Sequence, residues 1–278
     1  MILIADSGSS KTDWVLLTGS VNTSFSSKGY NPHFVDFDFI QKDLLSSLPE
    51  QANTEDISNI FFYGAGCVSI ESQTKMIDVF QRIFPNSTAI VKSDLLAACR
   101  SLYGEEKGIA AILGTGSNCC YFDGNDMQQK NLSLGFLMGD EGSGGNISKR
   151  VLTKCLYYEI PEEISSEILG VKKEEHSSFI SHLYSQERVN TFLASFLPKI
   201  IPFKDHPIIK KCIEDSFQSF FDNHANRYDK TLSISFVGSI AEIFQNEIRL
   251  IAEKNDFKVG KIIRKPIDGL LAYHESKL

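Results

Sequence analysis

The sequence predicts an α/β protein of two similar units, because one uncommon pattern occurs twice. Ile2-Leu3-Ile4-Ala5-Asp6 reads as a strand running into Ser7-Gly8-Ser9-Ser10-Lys11-Thr12, and Trp14-Val15-Leu16-Leu17 reads as a strand running out. The same order returns at Ile109-Ala110-Ala111-Ile112-Leu113, Gly114-Thr115-Gly116-Ser117-Asn118 and Cys119-Cys120-Tyr121-Phe122. After each hairpin, short apolar strands alternate with amphipathic helices, which is the signature of an α/β layer.

The first unit opens as a three-stranded meander, with 21–26 as its third strand and Asn31-Pro32 marking the loop that follows. The pattern then predicts a helix over 37–48, a buried strand over 57–63 ending in Gly64-Ala65-Gly66, and a helix over 70–84. A strand over 88–91 and a helix from 94 to 102 complete it. In the second unit, Met138-Gly139-Asp140-Glu141-Gly142-Ser143-Gly144-Gly145 opens a helix over 147–156, and a largely helical insertion extends to about 226. Alternation resumes with a strand over 232–237, the turn Gly238-Ser239, a helix over 240–251 and a strand over 257–259. The chain closes in a helical tail.

With 278 residues, 42% of them hydrophobic and 23% charged, the chain has enough apolar material to bury two cores. A net charge of −7 argues against a nucleic-acid or anionic-membrane surface. No stretch approaches the roughly 20 apolar residues of a membrane span, and with Met1 running directly into the first strand no signal peptide is expected. Cys67, Cys99, Cys119, Cys120, Cys155 and Cys212 show no CxxC spacing, so reduced core thiols and a cytoplasmic setting are expected.

The two turns suggest anion nests, since small residues let backbone amides and hydroxyls approach a ligand closely. Neither fits a better-known phosphate fingerprint. Ser10 stands where a P-loop needs glycine before Lys11, and Trp14 to Leu17 favours a strand where a P-loop opens a helix. Cys119 replaces the third glycine of GxGxxG, again with a strand following. Gly and Ser are also ordinary turn formers, which suffices for one such turn; the recurrence is the informative part.

Together with Met138-Gly139-Asp140-Glu141-Gly142-Ser143, these motifs resemble the sugar kinase, Hsp70 and actin superfamily. Within it the chain is similar to the BadF/BadG/BcrA/BcrD-type ATPase family, and most to its N-acetylglucosamine kinase branch. The resemblance implies two ribonuclease-H-like, actin-like ATPase domains with a central cleft. The first would span 1–106 plus 267–278, and the second 107–266 with a helical insertion at about 150–226. It also implies ATP and Mg²⁺ as cofactors and a small-molecule sugar as substrate, and it leaves homodimerisation open.

By this resemblance Asp6, Gly8, Ser9, Ser10, Lys11 and Thr12 form the first phosphate motif, and Gly114, Thr115, Gly116 and Ser117 the second. Gly238 and Ser239 form the adenosine motif, and Asp6 is the first candidate for the metal, with Asp140 or Glu141 able to assist. Asp94 is the expected catalytic base and contacts the acceptor hydroxyl, although Ser93 or Asp94 would equally serve as a helix N-cap. Asn31, Thr115, Asn118 and Asp140 occupy sugar-contacting positions. The resembling kinases carry a tryptophan shortly before the Met-Gly-Asp-Glu-Gly-Ser loop; here Leu134-Gly135-Phe136 stands there, and Phe136 is the available aromatic. Gly104 and Gly269 are expected beside hinges. The implied activity is phosphoryl transfer from ATP to an amino sugar, N-acetylglucosamine to its 6-phosphate first among them.

Two other functions fit parts of this pattern. An ATPase activator of an iron–sulfur dehydratase or reductase would need accessible cysteines to hold its cluster. A sugar- or nucleotide-sensing module would need neither Asp94 nor turnover.

Overall fold

The alternating apolar pattern of the first 28 residues folds as the expected meander in a computed structural model, which describes residues 1–8, 11–19 and 21–277. β1 (Ile2–Ser7) pairs antiparallel with β2 (Lys11–Leu17), from Ile2 opposite Leu17 to Ser7 opposite Thr12, and β3 (Asn22–Lys28) flanks β2. β4 (Asn59–Gly64) and β5 (Thr88–Ser93) add in parallel on the other side, giving the order β3-β2-β1-β4-β5. The central strand has water on neither face, so Leu3, Ile4 and Ala5 are all fully buried. Helices α1 (Phe37–Ser47), α2 (Ile70–Ile83) and α3 (Asp94–Tyr103) connect these strands or follow them.

Trp14 anchors this unit's core. Its ring stacks on Phe25 at 5.7 Å and meets Phe62 and Phe80 at about right-angle or tilted geometry, while its indole N–H donates to Ser27 Oγ at 2.9 Å. A buried tryptophan needs such a partner, because an unmet donor would carry its full desolvation cost.

The second sheet contains β6 (Gly108–Leu113), β7 (Ser117–Phe122), β8 (Met127–Gln128), β9 (Ile234–Val237) and β10 (Val259–Ile263). Read from its meander edge its order is β8-β7-β6-β9-β10, the order of the first sheet repeated. Between β8 and β9 the chain is helical: α4 (Gly135–Met138), α5 (Gly144–Leu156), α6 (Glu162–Leu169), α7 (His176–Tyr184), α8 (Val189–Ala194), α9 (Leu197–Ile200) and α10 (Pro207–Asn223). α11 (Ser239–Ile243) and α12 (Gln245–Lys254) follow β9, and α13 (Ile267–Glu275) ends the chain.

The chain divides into two compact units, Met1–Lys107 with Phe122–Met127 and Lys265–Leu278, and Gly108–Tyr121 with Gln128–Arg264. Among the described residues no helix is long and apolar enough to cross a membrane.

Two elements depart from the sequence expectation. The helix expected over 240–251 is interrupted at Phe244, whose backbone (φ −106°, ψ 29°) leaves helical geometry while its ring is fully buried 5.8 Å from Phe217. The strand expected over 257–259 lies instead at Val259–Ile263. Phe257 is buried against Phe221 at 5.8 Å, so its apolar character reflects core packing and not a place in the ladder.

Gly269, expected beside a hinge, lies inside α13, where an added Cβ would sit 2.5 Å from the Ser101 carbonyl oxygen and 2.7 Å from its Cα. The glycine allows α13 to lie directly on the α3 backbone. Gly269→Ala should therefore destabilise the protein by about 1–3 kcal/mol, the usual cost of overpacking, read as a lower denaturation midpoint; an unchanged midpoint would mean that the helices separate freely.

Candidate active site

In the first unit the parallel register aligns Ser7, Gly64 and Ser93 at the carboxyl ends of β1, β4 and β5. The carboxyl edge of such strands is where open α/β sheets present ligand-binding groups. Asp6 lies one residue inside that edge, Gly64-Ala65-Gly66 turns away from it, and Asp94 begins α3 immediately beyond it.

Ser7, which the sequence reading passed over, ties these pieces together. It is fully buried; its Oγ accepts the Tyr30 N–H at 3.0 Å and lies 2.7 Å from Thr12 Oγ1. Thr12 donates its single hydroxyl proton to the Lys28 carbonyl at 2.8 Å, so the proton between the two hydroxyls comes from Ser7. The Ser7 carbonyl accepts the Ala65 N–H at 2.8 Å. A serine in a glycine-rich turn reads as a turn former, and no local pattern marks it as a buried junction.

These contacts also correct one sequence expectation. The Thr12 hydroxyl, expected on a phosphate, is fully buried and engaged by Ser7 and Lys28, because its place in β2 directs it across the hairpin. The Gly8 N–H closes the turn onto the Lys11 carbonyl at 2.9 Å. Lys11 is exposed and bonded to Asp13 at 2.8 Å. Ser9 and Ser10 lie outside the described residues.

Asp6 stands directly opposite Asp13 across the β1–β2 ladder, a like-charge pairing that strands normally avoid. Burial works against ionisation of Asp13, but hydrogen bonds from Lys11 and from Lys265, at 3.0 Å, outweigh it and hold that carboxyl below its usual range. Asp6 has no comparable compensation. Burial first, then the charges of Asp94 and Asp13, push its pKa up to about 8 despite the opposing pull of Lys265. Asp94 is raised to about 6 by burial, against the lowering effect of the backbone amides of Leu95 and of its own residue. The α3 N-cap is Ser93, whose Oγ accepts from Leu96 N–H at 3.4 Å, so capping does not consume the Asp94 carboxylate. Asp94 instead occupies the first helical position, where the positive end of the helix favours an anion.

Asn31 is buried, and its Oδ1 accepts the His33 N–H at 3.0 Å. Its amide faces Gly66, which has φ +83° and where a Cβ would come within 2.5 Å of Asn31 Oδ1. The glycine turn after β4 thus makes room for Asn31.

In the second unit, the two motifs that carried the resemblance are joined. The Gly114 N–H closes the turn onto Gly116 O at 2.9 Å, and Gly144 N–H donates to Gly114 O at 2.9 Å. The Asp140 carboxylate lies against Gly116, with Oδ2 3.0 Å from where a Cβ would be, and its Oδ1 accepts the Ser117 N–H at 3.3 Å. Burial, the largest influence, raises the Asp140 pKa. Thr115 is half-buried in the same turn. Asn118 Oδ1 accepts from Gln129 Nε2 at 2.6 Å and from Cys119 N–H, so its carbonyl is engaged within the unit. Glu141 bonds Asn223 and His224 within the unit. Phe136 falls in the short helix α4 and is half-buried.

Gly238 is the α11 N-cap at φ +128°, and Ser239 is the exposed first helical residue rather than a cap. A Cβ on Gly238 would lie 2.1 Å from the Leu113 carbonyl oxygen, so this glycine brings the end of β9 against the Gly114 turn. All six cysteines are buried, which removes the accessible thiols that an iron–sulfur activator requires.

Ser7→Ala would leave the Tyr30 amide and the Thr12 hydroxyl short of a partner in a dry site. We expect a loss of about 1–3 kcal/mol in denaturant unfolding; a change near zero would show that the junction is not needed. Asp6 holds its proton more tightly in the native state than in the unfolded chain, so it makes native stability fall as pH rises from 3.8 to about 8. Asp6→Asn should remove that slope, its stability relative to wild type rising through this window and levelling above it. Parallel pH profiles of the two proteins would contradict the assignment.

Neither a family model nor a curated protein sequence matches the chain. Solved structures do. The crystal structure of a candidate N-acetylglucosamine kinase from Porphyromonas gingivalis shares 31% identity with it over 99% of both chains, with a TM-score of 0.91. A second candidate N-acetylglucosamine kinase, from Chromobacterium violaceum, superposes with a TM-score of 0.71 at 13% identity over 98% of each chain. A ROK family glucokinase from Streptomyces griseus, solved with glucose and AMPPNP, gives 0.55 at 12% identity over 99% of this chain and 98% of that one. The last two bear on the fold alone. At 31% identity over nearly its whole length, the protein belongs to the family of the Porphyromonas gingivalis relative, a carbohydrate-kinase family of the sugar kinase, Hsp70 and actin superfamily.

Proposed function

We propose that the protein transfers the γ-phosphoryl group of ATP to a hydroxyl of an amino sugar, with N-acetylglucosamine the first candidate and its 6-hydroxyl the acceptor. The observation that carries this reading is Asp94: a carboxylate at a helix N-terminus, released from capping by Ser93 and raised to about 6. A base in that range is ionised at neutral pH yet accepts a proton readily from a hydroxyl that is losing it to phosphoryl transfer. The Porphyromonas gingivalis relative supports the choice of acceptor, and ATP as donor is in keeping with a fold shared with a neighbour solved with AMPPNP.

Asn31, Thr115, Asn118 and Asp140 are assigned to the sugar. The turn backbones at Gly8 and at Gly114 to Ser117 are assigned to the phosphates, with Gly238 and Ser239 at the adenosine. Mg²⁺ fits Asp6. Burial with two other carboxylates nearby disfavours its bare anion, and a cation relieves exactly that cost. Among the described residues no three His, Cys, Asp or Glu side chains converge as a metal site. Mg²⁺ does not require one, since it keeps several waters and takes one or two carboxylates plus substrate phosphates. When bound it would neutralise phosphate charge.

Coupled ADP release across a panel of sugars tests the reading. We expect turnover that depends on N-acetylglucosamine and collapses in Asp94→Asn; ATP hydrolysis indifferent to every sugar, or equal rates in the variant, would overturn it. The pH profile gives a second check. Because the Asp94 pKa is raised, its base form is lost below about 6 rather than below 3.8. At saturating Mg²⁺, which would hold Asp6 ionised, the wild-type kcat/KM should then fall about tenfold per pH unit below that point, as for one essential base, and stay level above it.

A further inference from the structure

Asp140 has φ +56°, the left-handed region that aspartate tolerates better than most residues with a Cβ, and the residue is held from two sides. On one side its carboxylate is fixed by the Ser117 N–H. On the other, the next two residues are held by α10, a helix of the insertion that carries none of the sequence motifs. Glu141 Oε1 accepts from Asn223 Nδ2 at 2.8 Å, and Glu141 Oε2 lies 3.1 Å from His224 Nε2. Gly142 N–H donates to Ser216 Oγ at 3.1 Å. The Glu141–His224 pair is well shielded, with side chains 14% and 10% exposed, so water does little to weaken it. His224 is itself fixed by stacking on Phe220, with centroids 5.4 Å apart and planes at 28°.

Both carboxylate oxygens of Glu141 therefore have partners at the end of α10, Asn223 its last residue and His224 its C-cap. Asp140, one residue earlier, is left in a left-handed bend with its carboxylate over Gly116. We propose that Glu141, gripped by His224 and Asn223, is a positioning residue that sets the Asp140 carboxylate for the acceptor sugar, so that α10 governs sugar affinity. This rests on the assignment of Asp140 to the sugar made above. A carboxylate that meets hydroxyl groups must be held to a fraction of an ångström, and small displacements caused away from the reacting atoms are costly.

The test is steady-state kinetics with N-acetylglucosamine and ATP varied separately, on the full chain. His224→Phe keeps an aromatic ring on Phe220 but removes the donor to Glu141. It should raise the sugar KM by about tenfold or more while leaving kcat and the ATP KM within about twofold, the pattern of lost sugar binding rather than lost chemistry. His224→Gln, which restores a donor, should recover most of the loss. Asn223→Ala removes the other arm without touching the ring, and should raise the sugar KM in the same selective way even if His224→Phe does not fold. An unchanged sugar KM in His224→Phe or Asn223→Ala, or an equal rise in the ATP KM, would overturn the brace. Asp140→Asn separates the two levels: if it raises the sugar KM and the brace variants do not, the brace alone is wrong, and if it leaves the sugar KM unchanged, the sugar assignment of Asp140 falls and the brace falls with it.

Discussion

The buried hydroxyl of Ser7 is the junction on which the candidate site residues of the first unit depend. Three chain segments remote in sequence meet at this one residue: the hairpin through Thr12, the loop before Asn31 through the Tyr30 amide, and the glycine turn after β4 through its carbonyl. In a fully buried position these bonds are hard to replace, so the geometry of one segment constrains the others. Asp6 is the preceding residue, so the candidate metal carboxylate inherits its position from this junction.

Around that junction the carboxylates differ according to what faces them. Asp6 and Asp13 are cross-strand neighbours with the same chemistry, yet two lysines keep Asp13 ionised while burial and neighbouring negative charge push Asp6 up to about 8. Asp94 lies between these extremes because burial is partly offset by the amides of a helix N-terminus. Environments that drive similar groups apart are how a single fold obtains both a charge-binding carboxylate and a base.

The second unit repeats the sheet order but uses different joints. Here the Gly114 turn is held by backbone bonds to the loop that opens α5, and Gly238 allows β9 to approach the same turn. Side chains from the insertion then secure that loop from behind through Glu141 and Gly142. The insertion thus has a structural connection to the motif residues that its own sequence does not advertise.

Much of this was legible in the sequence because it is local. Period-two and period-3.6 apolar patterns, glycine turns and their order along the chain determined the two α/β units, and the family resemblance carried by those motifs, not the periodicity, implied roles for Asp6, Asp94, the Gly114 turn and Asp140. Boundaries failed where burial came from tertiary packing, as at Phe244 and Phe257, since an aromatic looks the same in a strand as in a core. The roles of Ser7, His224 and Asn223 were not legible, and neither was the internal engagement of the Thr12 hydroxyl. A polar side chain shows its type in the sequence but not its partner, and the partners here lie five to more than eighty residues away. The sequence by itself determined which groups are available; only the tertiary structure decided which are consumed in holding the fold and which are left for chemistry, because that choice depends on burial and on hydrogen-bond partners that only folding brings into contact.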